Sequence, residues 1–346
     1  MLIVDAHLDL AYNALRGREV LRPAAEQVGD DEGIPSVGLP DLRAGGVDLI
    51  CATIFCAPDS PKEKGYRNPE EAHAMAMAQL EWYRRQADAG ELGIVRSGLE
   101  IHRGMGASPV HHETHGRGAR ATGIPSAIIL LEGADPIRTP EDVGRFFNLG
   151  VRIVGLAWKG TRYAGGTGVP GPLTPDGVRL LPALDRAGII HDLSHLAEES
   201  FWQLLDLSGG PVMASHSNCR AFVPTDRQLS DEMIKAIARR GGVIGINFYD
   251  KFLVPPAEYG SRRATLDDVV RHMRHMCDLI GDADHVGIGT DMDGGLGRDQ
   301  IPREIRSSAD LPRLVDALAR AGFADEHIHG IMGQNWFRFF SKSLPA

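Results

Sequence analysis

Ile189-Ile190-His191-Asp192-Leu193-Ser194-His195 and, one helix-length further on, Pro211-Val212-Met213-Ala214-Ser215-His216-Ser217-Asn218 decide how this chain folds. Each is an apolar run of strand length that ends in a histidine, and the residues between them have a helical pattern. Strand, helix and strand make a parallel unit. Side chains at the C-terminal tips of neighbouring parallel strands converge above the end of the sheet. Two histidines placed in this way are the start of a metal site, whose remaining ligands are expected at other strand tips.

Working outward, Leu2 to His7 reads as a short buried strand with Asp9 just beyond it, and Val47 to Phe55 as a second strand. Pro69 to Ala89 reads as a helix, with Pro69 in its first turn and Gly90 at its stop. Gly93 to Ser97 is a weak strand outside the main pattern. From Ser126 the alternation is regular. Ala127 to Leu131 leads to Glu132, a helix over Pro140 to Leu149 leads to Arg152 to Trp158, and a Gly-rich loop spans Gly160 to Gly171. A helix ending near Ala187-Gly188 precedes the two His-tipped strands. Val243 to Tyr249 and His285 to Thr290 are further strands, and helices over Leu311 to Ala321 and Glu326 to Phe340 close the chain. Eight strands, most separated by helices, predict an α/β fold, a (β/α)8 TIM barrel with C-terminal helices, as one domain over residues 1–346.

Composition bounds the function. Hydrophobic content of 43% and charged content of 24% suit a globular protein, and a net charge of -9 argues against nucleic acid or an anionic membrane as partner. The four cysteines form no CxxC pair, which suits a reducing compartment. With no leader-like start and no apolar run of spanning length, a cytoplasmic location is expected.

The strand tips carry His7 and Asp9, Glu132, His195, His216 and Asp291. A lone histidine in a strand is usually a core or surface residue, and one acid at a strand end is usually a loop cap. Metal-capable groups at the ends of the first, third, fifth, sixth and eighth strands make a joint arrangement that chance does not readily supply. Three imidazoles with carboxylates suit Zn²⁺ or another divalent first-row ion. Two ions fit better than one, because Asp9, Glu132, Asp291 and a bridging hydroxide would offset their charge. A single ion would leave net negative charge in a poorly solvated mouth. His111-His112-Glu113-Thr114-His115 is one residue short of the HExxH spacing and reads as exposed. His272 and His275, in a helix over Thr265 to Ile280, read as surface residues, and His191 as lining the barrel interior.

Asp5-Ala6-His7-Leu8-Asp9-Leu10, Leu131-Glu132-Gly133, Asp192-Leu193-Ser194-His195, Ser215-His216-Ser217-Asn218 and Gly289-Thr290-Asp291-Met292-Asp293-Gly294 together resemble the renal (membrane) dipeptidase family. These are zinc peptidases of the amidohydrolase-like barrels. Pro40 to Val47, Gly150-Val151-Arg152, Asn247-Phe248-Tyr249 and Gly333-Gln334-Asn335 resemble further blocks of that family, in the same order. The resemblance is weakest over Leu15–Ser36, His102–Gly123 and Gly160–Gly171.

The resemblance implies two zinc ions, one held by His7 and Asp9, the other by His195 and His216, with Glu132 bridging. It makes Asp291 the acid/base of a hydrolysis in which the metals' bridging hydroxide attacks a dipeptide, L-Xaa-D-Xaa among the candidates. Arg227 matches the arginine that grips the substrate's C-terminal carboxylate, a bidentate role suited to a guanidinium. Tyr249 is expected beside the substrate. Where the renal enzyme has a histidine near the fourth strand tip, this chain has Trp158, whose indole N–H can only donate one hydrogen bond. An N-acyl amino acid or other small amide is the competing substrate, and a non-catalytic metal-stabilised binding protein the competing class. Barrels of this group often pair, so a homodimer is an expectation, although no stretch marks an interface.

Overall fold

The computed structural model describes residues 1–60, 64–104 and 123–346. Eight parallel strands form the barrel: β1 Val4–Leu8, β2 Leu49–Phe55, β3 Ser126–Glu132, β4 Val151–Gly155, β5 Ile190–Asp192, β6 Val212–Met213, β7 Ile244–Ile246 and β8 Val286–Ile288. They pair in chain order from β1 to β6, and β8 joins β1 to β7. A parallel bridge between Ala214 and Ile244, just past the end of β6, closes the ring. Gly93–Ile94 pairs with the first residues of β3, where β4 has not yet begun, and so lies off the barrel path.

The strands are apolar along their length because both of their faces are covered, as expected for a parallel sheet wrapped in helices. Val4, Leu49, Cys51, Ile128, Leu130, Ile153, Ile190 and Met213 share one buried cluster with Trp336, Phe339 and Phe340 of the C-terminal helix Asn335–Ser343. That helix closes the floor: Trp336 Nε1 donates to the Ile288 carbonyl at 3.0 Å. Gly287 makes room for it, since a Cβ there would stand 2.2 Å from the indole nitrogen. A larger cluster fills the layer between strands and outer helices.

The helices begin and end where their capping residues dictate. Asn68 accepts from the Glu71 N–H ahead of Pro69–Asp88, and Thr265 with Asp268 forms a capping box ahead of Leu266–Ile280. Gly188 and Gly281 end two helices in the left-handed conformation.

The fold departs from the sequence reading in several places. Glu326 to Phe340 is not one helix: Asp325–His329 runs into a wide π turn, Gly330–Gln334, before Asn335–Ser343. The Asn335 amide at that turn donates to the carbonyls of Ala283 and Val286, tying it to the entry of β8. The Gly-rich loop contains an antiparallel hairpin, Ala164–Gly166 with Val169–Leu173. His272 is fully buried rather than at the surface. Its Nδ1 accepts from the Cys219 N–H and its Nε2 donates to the Leu253 carbonyl. His275 is half-buried against Asp231. His191 faces the helix layer rather than the barrel interior, meeting Asp185 Oδ1 at 2.7 Å and Ser208 Oγ at 3.0 Å. The stretch His111 to His115 lies outside the described residues.

Candidate metal centre

The strand tips converge as the spacing predicts, with His7 inside β1 and Glu132 ending β3, although the other four ligand-type side chains sit beyond the regular strands. His195 and His216 each stand three residues past the last residue of β5 and β6, and Asp291 three past β8. Asp9 leaves β1 and occupies the N-cap position of the helix Leu10–Leu15. His195, Asp291 and Asp293 are the only non-glycine residues with positive φ among those described, at 66°, 59° and 63°. Each left-handed residue costs on the order of 1–2 kcal/mol, so three at one mouth mark a strained and specified site.

His7 Nε2 lies 3.6 Å from Asp9 Oδ2, 3.7 Å from Glu132 Oε2 and 3.9 Å from Asp291 Oδ1. Glu132 Oε1 lies 3.2 Å from His195 Nε2 and 3.4 Å from His216 Nε2, and those two nitrogens are 2.9 Å apart. Donor atoms of His7, Glu132 and His216 therefore form one compact group, and those of His7, Asp9 and Asp291 a second. His7, Asp9, Glu132, His216 and Asp291 are buried, and His195 is nearly so. His7 Nε2, Asp9 Oδ1 and Glu132 Oε1 are buried without any hydrogen-bond partner. Orphaned polar atoms of this kind are costly in a protein interior, and all three belong to residues of the two donor groups.

The electrostatics fit a cation. Burial alone would lower the His7 pKa, but the carboxylates of Glu132, Asp9 and Asp291 raise it to about 10. Burial pushes Glu132 upward against the pull of His7, with Asp9 and Asp291 adding to the rise. Burial also lifts Asp291 to about 7, opposed by His7 and Arg227. His195 and His216 are held neutral, chiefly by burial and then by the nearby charges of Arg227 and His7. Two crowded carboxylates that resist ionisation, Glu132 and Asp291, beside two neutral imidazoles, are a donor set that divalent ions would relieve.

A cavity of about 230 Å³ opens on this cluster, lined by Asp9, Glu132, His195, His216 and Asp291 on one side and by Tyr12, Phe55, Trp158, Tyr249 and Phe252 on the other. It is smaller than the roughly 300–1,000 Å³ of sites for drug-sized ligands. Trp158 stands edge-on to Phe55 at 4.9 Å, with the Lys159 ammonium 4.7 Å over its ring. Glu32, from the long excursion after β1, reaches the same cavity. Thr167, in the turn of the hairpin, puts its hydroxyl 2.9 Å from His195 Nδ1. Arg227 is buried behind His216, donating to the His216 carbonyl at 2.6 Å and to Ser217 Oγ at 3.2 Å, with Nε unpartnered. Asn247 donates to Asp291 Oδ2 at 2.8 Å.

A profile of the membrane dipeptidase family, peptidase family M19, matches residues 1–344. The chain belongs to this family. A crystal structure of a family M19 dipeptidase described as a metallo peptidase superposes with a TM-score of 0.82 at 27% identity, covering 100% of this chain and 99% of that one. A Rhodobacter sphaeroides metallo peptidase, liganded with a phosphinate mimic of the dipeptide L-Ala-D-Ala, gives 0.81 at 27% identity and 99% of both chains. An uncharacterised dipeptidase of Schizosaccharomyces pombe is 31% identical over 224 residues, 63% of this chain. The match spans only 53% of that relative's length.

Family membership agrees with a (β/α)8 barrel of metallopeptidase type. The sequence reading missed Asp192, Ser215, Asn247 and Thr167 around the cluster. Asp192 and Ser215 sit inside quoted motifs, directly beside or close to the histidines, but nothing in their spacing distinguishes a supporting residue from a strand residue.

Proposed function

We propose that this chain is a metal-dependent dipeptidase acting through a pair of divalent ions, zinc being the first choice. The observation that carries this reading is the trio of orphaned buried atoms on His7, Asp9 and Glu132, with Glu132 Oε1 within 3.4 Å of the neutral imidazoles of His195 and His216. His7 and Asp9 would hold one ion and His195 and His216 the other, with Glu132 between them. When bound, such ions supply Lewis acidity and acidify a water near neutral pH.

The chain's own residues do the rest. Asp291, kept in place by the Asn247 amide, would hold the proton released at the mouth and return it to the departing amine, a general acid–base role. The aromatic wall of Tyr12, Phe55, Trp158, Tyr249 and Phe252 would exclude water and seat small side chains. Trp158 would pack against the substrate and offer at most one donor. Arg227 would orient the substrate by its free carboxylate, which fixes the reacting bond.

The Rhodobacter relative's complex with an L-Ala-D-Ala mimic supports testing L-Xaa-D-Xaa dipeptides first. A panel of L,L- and L,D-dipeptides beside N-acyl amino acids decides the substrate class. Turnover confined to N-acyl amino acids would replace the dipeptide reading. The eight strands draw on the chain from Val4 to Ile288, which supports treating residues 1–346 as one domain. The four cysteines are all free and buried, in keeping with a cytoplasmic location. No helix among the described residues is long and apolar enough to cross a membrane.

A further inference from the structure

We propose that Ser215, anchored by Asp192, is a positioning residue that sets the ring tautomer of both His7 and His216. Asp192 Oδ2 accepts the Ser215 hydroxyl at 2.5 Å, while Asp192 Oδ1 accepts the backbone N–H groups of Ser215 and Ser194 at 2.9 and 3.0 Å. The same Ser215 Oγ lies 2.6 Å from His216 Nδ1 and 3.2 Å from His7 Nδ1. A hydroxyl has one proton and two lone pairs. The short bond to a carboxylate claims the proton in preference to Ser194 Oγ at 3.4 Å. Both lone pairs then face ring nitrogens, so each Nδ1 must carry a proton and donate it.

The consequence falls on the other side of the rings. With Nδ1 protonated, Nε2 of His7 and of His216 is the atom left to present a lone pair to the cavity, the form a divalent ion requires. Asp192, Ser215, His7 and His216 are all at most 2% exposed, which leaves little access for water to replace the serine. One hydroxyl thus orients two imidazoles, that of its sequence neighbour His216 and that of His7, 208 residues away. His195 is served separately, by Thr167 of the hairpin.

This inference rests on the metal reading above, and its test separates the two. Zinc would be titrated into metal-free wild type, Ser215→Ala and Asp192→Asn against a chromophoric chelator. Nitrogen-15 spectra of the histidine rings in the zinc-loaded proteins would be assigned with His7→Gln and His216→Gln. Wild type should coordinate through Nε2, with two protected Nδ1–H protons. Ser215→Ala should lose that protection and bind zinc about 10–100-fold more weakly. Asp192→Asn should also weaken binding, because its amide can donate to Ser215 and release the hydroxyl proton toward a ring nitrogen.

Coordination through Nδ1 in wild type would overturn the inference whether or not the variants fold. Wild-type affinity and unchanged ring protons in Ser215→Ala would overturn it while leaving the metal centre standing. Wild type that takes up no zinc would remove both.

Discussion

Asp291 is buried, strained at φ 59° and held by a single amide, Asn247. Asp291→Asn keeps its shape and removes its capacity to take a proton, so kcat of the fully metal-loaded protein should fall about 10²–10⁴-fold. Full activity with metals bound would withdraw the acid/base role. Arg227→Ala should raise KM for dipeptides with a free carboxylate and spare carboxyl-amidated analogues. An equal loss on both would instead assign Arg227 to holding the His216 carbonyl. His272 offers a test away from the cluster, because burial lowers its pKa from 6.5 to about 4. Its neutral form is the folded form, so its contribution is complete above pH 6.5 and drains away as pH falls toward 4. The total at stake is about 3 kcal/mol. In urea titrations, His272→Gln should lose less stability between those pH values than wild type; parallel losses would contradict this. The ring's burial was hidden from the sequence because a histidine on a polar-looking helix face reads as exposed. Its partners, Cys219 beyond β6 and Leu253 at the end of the short helix Asp250–Leu253, are brought near only by the fold.

At the scale of elements, the C-terminal helix and the floor of the barrel depend on a missing side chain. Gly287→Ala should cost about 1–3 kcal/mol in chemical denaturation, because the new methyl must displace Trp336 from its bond to Ile288. Unchanged stability would mean that the floor is loosely packed. Strand order and number were legible, since apolar runs separated by helical patterns repeat from β1 to β8. The ends of those strands were not. The sequence reading ran β5 and β6 through to His195 and Asn218, whereas regular pairing stops at Asp192 and Met213. The residues beyond those ends turn away from sheet geometry, with His195 in a left-handed conformation that periodicity cannot reveal. The hairpin of the Gly-rich loop was missed for a similar reason. Its strands are rich in Gly and Pro, which read as loop, and they are held by pairing with each other and by the Ala197–Gly165 backbone bond.

For the whole molecule, the cluster exists only when the barrel closes, since His7 opens the chain and Asp291 lies near its end. The six ligand-type residues were legible one by one, because each ends an apolar run. Their support by Asp192, Ser215 and Asn247 was not, because it depends on neighbours across strands. Ions that bind only the folded barrel stabilise it by mass action, about 2.7 kcal/mol per site at a hundredfold excess over Kd. Chelation should therefore lower Tm, and zinc should restore it. The most direct measurement is zinc titration of metal-free protein with hydrolysis of L-Ala-D-Ala followed in parallel. Two equivalents of zinc bound per chain, with turnover rising as the sites fill, is the predicted result. Hydrolysis that persists without metal, or no hydrolysis of any dipeptide by the fully loaded protein, would contradict the account.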